Sequence, residues 1–308
     1  MILLNILLLL ISVALLWVGS DRLVESAGRI AQKVGISELV VGLTVVAFGT
    51  SAPEFAVTLT AAVKGYASIS VGNIVGSNIF NLGFILGAVA IVRNVHITPK
   101  LVYRDGILMI FSTFILLLFF KNLMLSFYEG AILFLTLILY LLYLIIKKEP
   151  PELEEPGSEE LATWKDWILL PISIAMVVAG GQLLVSSAST IARAIGISEW
   201  VIGVTIVAAG TSAPEMATSL AAVIKGKHGI SAGNLVGSNL FNILGVLGLA
   251  GMIKPLTILP TSYYSLILLS GMVMLAVIFM RTGWRITRSE GILLVLSGLA
   301  LWAYDFLK

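Results

Sequence analysis

Residues 36–88 recur without a gap at 197–249, and 31 of the 53 positions are identical. The offset is 161 throughout. GTSAPE stands at Gly49–Glu54 and again at Gly210–Glu215, and GSNxFN at Gly76–Asn81 and again at Gly237–Asn242. A duplication of this strength is settled before any local reading, because it makes each half one structural unit. An earlier stretch repeats at the same spacing: Gly19, Leu23, Val24, Ser26, Ala27, Ile30 and Ala31 match Gly180, Leu184, Val185, Ser187, Ala188, Ile191 and Ala192.

The duplicated segments are too apolar for water. Hydrophobic residues make up 58% of the chain and charged ones 12%, against about a quarter charged in soluble domains. Mean hydropathy is +1.05. So few charges cannot coat a 308-residue soluble core, and the chain reads as a polytopic membrane protein. Apolar stretches of spanning length fall near 2–27, 38–63, 69–92, 102–120, 124–146, 164–192, 199–224, 230–252, 259–280 and 287–305. The first lacks a positive leader region and has a counterpart in the second half, so it is expected to be a retained helix rather than a signal peptide.

Five spans per half is an odd number, so the second half must enter the bilayer from the opposite face. The expected fold is therefore an all-α polytopic membrane protein of ten transmembrane helices. They form two inverted five-helix repeats, 1–147 and 164–308, with helices 2, 3, 7 and 8 broken. Between them, residues 148–163 carry six of the seventeen acidic residues and three prolines, the composition of a solvated linker. With the N-terminus outside, fourteen of the nineteen Lys and Arg residues fall on the inner side. That bias places both termini outside and the linker in the cytoplasm.

GTSAPE dictates a helix break. Pro53 lacks an N–H and clashes with the carbonyl of residue 49, while Ala52, preceding it, is pushed from helical geometry. Carbonyls from Ala47 to Thr50 are then expected to lack intrahelical donors, which hydrocarbon does not tolerate unless a polar occupant engages them. Pro53 suits the first position of a new half-helix, whose first turn holds Glu54, where the helix dipole favours a carboxylate. Residues 208–215 repeat the device and end in Glu215. A carboxylate at mid-membrane costs several kcal/mol and marks an ion path. In GNxVGSNxFN, Gly72 and Gly76 are expected to break or thin the third span, although close helix packing explains such glycines equally well. Ser77 and Asn81, four apart, share a helix face, as do Ser238 and Asn242.

Other features carry less. Glu38 and Glu199 follow Ser37 and Ser198 at helix starts, where capping accounts for them. Asp105, Glu129, Asp166 and Asp305 fall near interfaces, and Asp21 and Glu25 have no counterparts in the other half. A net charge of +2 leaves no nucleic-acid footprint. With no cysteine and two isolated histidines, an intramembrane enzyme lacks a nucleophile–base pair, and no cofactor is expected. The remaining donors are hard oxygens. They suit Ca²⁺, which takes six to eight of them, and Na⁺ in the same positions. Spacing alone does not decide the counter-ion, and a channel lined by the two glutamates stays open as an alternative.

The paired GTSAPE and GSNxFN segments resemble the alpha-repeats of prokaryotic sodium/calcium exchangers in the cation/calcium antiporter superfamily, over essentially the whole chain. The resemblance implies antiport of three Na⁺ for one Ca²⁺ by alternating access, in a cell membrane and without an obligate partner. It further implies that Glu54 and Glu215 bind both ions and that the Thr50 and Thr211 backbones help hold Ca²⁺. Ala47, Thr50, Ser51 and Ser77, with Ala208, Thr211, Ser212 and Ser238, would line sodium sites, and Asn81 and Asn242 would close the centre. Potassium-dependent relatives carry Asp where this chain has Asn242, which argues for K⁺-independent exchange. Proton-coupled relatives replace the TSxPE stretch, so H⁺ coupling is the runner-up. The long regulatory loop of eukaryotic members is replaced by the acidic linker.

Overall fold

The computed structural model describes residues 2–147, 162–196, 206 and 208–306. Its helices are α1 (Ile2–Val34), α2 (Glu38–Thr50), α3 (Ala52–Lys64), α4 (Ala67–Val92), α5 (Leu101–Asn122), α6 (Phe127–Lys147), α7 (Trp164–Ala194), α8 (Ala208–Thr211), α9 (Ala213–Ile224), α10 (His228–Ile253), α11 (Pro260–Arg281) and α12 (Arg288–Phe306). By length and composition, seven described helices can cross a bilayer, and α2 with α3 forms an eighth, bent by 51°. The seventh stretch expected from the sequence begins on residues 199–205, which lie outside the described residues. So do Ser198, Glu199 and nearly all of the acidic linker.

The linker's end is nonetheless built. Thr163 and Asp166 form a reciprocal capping box at the start of α7, and Arg29 donates to Asp166 at 2.7 Å. Capping also holds at Ser37, whose hydroxyl accepts from the Val40 N–H at 3.3 Å.

Helices 3 and 8 are not broken. α4 and α10 each run for 26 residues through their glycines. Glycine weakens a helix but keeps its N–H, so the hydrogen-bond ladder survives where proline would cut it. The irregularity takes another form, a π-helical turn at Phe80–Ile85 and, 161 residues on, at Phe241–Leu247. Such turns concentrate at functional sites. They also shift the four-residue spacing on which the shared face of Ser77 and Asn81 was argued.

Two compact units emerge, the described residues of 1–53 with 148–234 and those of 54–147 with 235–308. Each draws on both sequence halves. In the first, α1 and α7 pack through paired glycines: a Cβ on Gly19 would lie 2.8 Å from Val177 and one on Gly180 3.1 Å from Leu16. Around this contact Leu23, Val24, Ala27, Val46 and Ala222 form an apolar core. In the second unit, close approaches join α4 to α12 and α6 to α10: a Cβ added to Gly87 would lie 2.6 Å from the Gly291 carbonyl oxygen, and one added to Gly130 2.6 Å from the Gly248 carbonyl oxygen. Small residues allow this tight packing where no hydrophobic gain drives helices together.

Short ladders, absent from the all-helical expectation, tie the second unit's helix ends. β1 (Val95–His96) pairs antiparallel with β4 (Arg285–Ile286), and β2 (Met124–Leu125) with β3 (Leu256–Thr257). Adding 161 to β1 and β2 gives β3 and β4, so the repeat offset exchanges one ladder for the other.

Candidate functional site

At the first GTSAPE, α2 stops at Thr50 and the chain turns at Ser51 (φ −78°, ψ 6°). The second copy turns at Ser212 (φ −88°, ψ 8°). The kink therefore sits one residue before the position expected, and Ala52 and Ala213 already open the next helices. A ψ near zero at the serine is enough to redirect the chain, and the proline then falls where no N–H is needed. Glu54 and Glu215 lie in the first turns of α3 and α9, as expected. The Ala47 carbonyl is not bare: the Ser51 N–H donates to it at 3.0 Å, and the Thr50 hydroxyl lies 3.3 Å away. A last helical turn closes over the break and supplies the missing donor.

In the first unit, Glu215 is 0% exposed, and the Ser51 hydroxyl donates to its Oε1 at 3.0 Å. Asn234 joins them. Its Nδ2 donates to the Glu215 backbone carbonyl (3.4 Å) and to Ser219 Oγ (2.9 Å), while its Oδ1 accepts from Thr50 Oγ1 (3.0 Å). Ala47, Thr211 and Ser212 are buried in the same unit. Ala208 opens α8, and its side chain lies outside the described part.

The second unit holds Glu54, also 0% exposed, with Ser77, Asn81, Ser238 and Asn242, all buried. Asn73 Nδ2 donates to the Glu54 backbone carbonyl (3.4 Å) and to Thr58 Oγ1 (2.9 Å). Asn242 Nδ2 donates to Asn78 Oδ1 at 3.0 Å, and Asn78 Nδ2 to the Asn239 carbonyl at 3.3 Å. Neither polar atom of the Asn81 amide, nor Oδ1 of Asn242, has a hydrogen-bond partner among the described residues. An unsatisfied buried polar group costs about 1–3 kcal/mol, so such dipoles persist where a polar occupant engages them.

Among the described residues, no three Asp, Glu or His side chains converge as a metal cluster. The donors are single carboxylates set among hydroxyls, amides and carbonyls, a hard-oxygen set that matches alkali and alkaline-earth cations rather than transition metals. An ionised carboxylate wholly shielded from water needs compensating positive charge, the role a cation would fill.

The family model described as "Sodium/calcium exchanger protein" matches residues 4–146 and 165–300. The chain belongs to the sodium/calcium exchanger family. Among exchanger relatives, the sodium/calcium exchanger MaX1 of Methanosarcina acetivorans is 34% identical over 338 residues, covering 96% of this chain and 97% of its own. The inner membrane protein YrbG of Escherichia coli is 33% identical over 314 residues, covering 96% and 94%. Among solved structures, the sodium-calcium exchanger NCX_Mj soaked with 10 mM Na⁺ and zero Ca²⁺ superposes with a TM-score of 0.87 at 32% identity, over 98% of this chain and 99% of that one.

Sequence reasoning passed over Asn73, Asn234 and Asn78. Their signal was present, since each asparagine recurs at the 161 offset inside the motif already singled out. Asp21 and Glu25, given no role, receive Lys225, whose Nζ lies 2.7 Å from an oxygen of each. Burial alone would lower the Lys225 pKa, but its hydrogen bonds and charge pairing with these two acids hold it above the usual lysine value.

Proposed function

We propose that this exchanger moves three Na⁺ against one Ca²⁺ across the cell membrane, electrogenically and without K⁺, by alternating access. Glu54 and Glu215 are the charged ligands. Thr50, Thr211, Ser51, Ser212, Ser77 and Ser238, the amides of Asn81 and Asn242, and the backbones at Ala47 and Ala208 complete the ion sites. The scaffold is ten helices in two inverted repeats, 1–147 and 164–308, with both termini outside, and it works as a monomer. The observation that carries this reading is the duplicated pair of fully buried carboxylates, each in the first turn of a helix restarted after a serine kink.

The coupling follows from charge. Two carboxylates neutralise one Ca²⁺. Without a cation, two negative charges in low dielectric resist reorientation across hydrocarbon. Na⁺ competing for the same oxygens discharges the site and allows return, so exchange needs no second machine. Asn242 in place of an acid keeps the formal charge at two, which balances Ca²⁺ without K⁺.

Radiolabelled Ca²⁺ uptake into Na⁺-loaded proteoliposomes tests the reading. Uptake should require the sodium gradient, respond to membrane potential, and persist when choline replaces K⁺ on both sides. Uptake driven equally by a proton gradient would move the chain to the proton-coupled class. An unchanged rate in Glu54→Gln or Glu215→Gln would remove the assigned site.

A further inference from the structure

We infer that Asn234 and Asn73 are positioning residues for the ion ligands: their amides fix the turn that bears each glutamate, and Asn234 also sets the polarity of the Thr50 hydroxyl. This rests on the ion sites proposed above. The two networks are copies at the 161 offset. Asn73 and Asn234 each donate to the backbone carbonyl of the glutamate at 3.4 Å and to a hydroxyl four residues later, on Thr58 or Ser219, at 2.9 Å. Ser70 and Ser231 then donate to the Thr58 and Ser219 carbonyls at 3.1 and 2.9 Å. Two hydroxyls and an amide thus staple the carboxylate-bearing helix to the helix that follows. The span is broken just before the turn that bears each glutamate, at Ser51 and Ser212, so helix continuity from the preceding segment does not hold the turn in place.

The orientation of the Asn234 amide follows by elimination. A backbone carbonyl only accepts, so the NH₂ group must face Glu215 O. Oδ1 then faces Thr50, and the hydroxyl there must be the donor. Thr50 Oγ1 has a single proton, directed at Asn234 Oδ1 (3.0 Å), with the Ala47 carbonyl farther off at 3.3 Å. With its proton committed to the amide, the hydroxyl oxygen is turned to accept rather than donate on its other side. A hydroxyl accepting from this amide instead would aim its proton elsewhere and could meet the cation with the wrong end of its dipole. The neighbouring Ser51 hydroxyl spends its proton on Glu215 Oε1 in the same way. Groups of this kind orient metal ligands without touching the metal, and their loss weakens affinity by roughly 10- to 100-fold.

The test uses the full chain in proteoliposomes with Ca²⁺ as the probe. In Asn234→Ala and Asn73→Ala, the half-saturating Ca²⁺ concentration should rise roughly 10-fold or more, with a smaller change in maximal rate. Ser219→Ala and Thr58→Ala remove one anchor each while keeping a good helix former, and should raise it roughly 3-fold. Ca²⁺-induced thermal stabilisation of the detergent-solubilised protein should shift to higher Ca²⁺ in step. A lower maximal rate with unchanged half-saturation would mark a purely structural role and overturn the inference. If the asparagine variants do not fold, unshifted half-saturation in Ser219→Ala and Thr58→Ala overturns it equally. Wild-type vesicles without sodium-driven uptake would instead remove the proposed function itself.

Discussion

Gly233 precedes Asn234 and sits where α10 crosses α2 within the first unit. A Cβ added there would lie 2.8 Å from the Leu39 carbonyl oxygen, 3.0 Å from the Leu43 nitrogen and 3.2 Å from the Gly42 Cα. All three are backbone atoms, so no side chain can rotate away. The oxygen contact falls about 0.6 Å short of ordinary van der Waals separation, and one helix must move by that amount. Overpacking of this kind costs about 1–3 kcal/mol. Alanine returns about 0.5–1 kcal/mol of helix propensity, so on central values Gly233→Ala should lose about 1 kcal/mol. Gly271 in α11 is the control: among the described residues nothing lies within 4 Å of its added Cβ, and Gly271→Ala should be neutral or gain up to about 1 kcal/mol. Thermal unfolding of both variants in one detergent, without Ca²⁺, reads the difference in sign. The displacement also carries Asn234 with it, so Gly233→Ala should weaken Ca²⁺ half-saturation while Gly271→Ala leaves it alone. A Gly233→Ala protein as stable as wild type, or a Gly271→Ala protein that is less stable, would refute the packing argument.

Lys225 makes stability depend on alkaline pH. Its folded pKa is raised above the ordinary value of 10.5, so the contribution is complete below that value and is lost as pH climbs through the folded pKa. The thermal midpoint should therefore fall more steeply above pH 10.5 in wild type than in Lys225→Met, and parallel curves would refute the coupling. Thr163→Ala removes the N-cap of α7. It should cost about 0.5–2 kcal/mol and ease proteolysis just before Trp164, whereas wild-type protease resistance would show that the cap is dispensable.

How far the fold could be read varied with the physics of each signal. Apolar length is a one-dimensional quantity, so α4–α7 fall within a few residues of the stretches read from sequence, while α1 runs seven residues past the end of its stretch, from 27 to Val34. The break at the second span was legible because Pro53 stands behind a glycine in mid-span and is repeated with it at Pro214; proline alone does not end a helix, as Pro171 inside the continuous α7 shows. The third and eighth spans were misread because glycine has two effects, serving close packing in one context and interruption in another. Gly233 packs against α2, while no described atom lies within 4 Å of a Cβ on Gly72. Neither breaks its helix. The π turns after Phe80 and Phe241 and the two ladders left no pattern to find, since both depend on how neighbouring segments meet.

The site shows the same division. Glu54 and Glu215 stand out because charge in an apolar span has few bland explanations. Asn73 and Asn234 do not stand out, since an asparagine in a membrane helix is read first as packing or capping. What distinguishes them is the direction of their hydrogen bonds: toward the backbone of a glutamate and a hydroxyl one turn later, twice, at matching distances. A ligand type can be inferred from composition, but its orientation cannot, because a hydroxyl or an amide serves a cation only when its oxygen rather than its hydrogen faces the ion. On the positioning role proposed for Asn73 and Asn234, a substitution that leaves every carboxylate in place should still weaken ion affinity by roughly 10-fold.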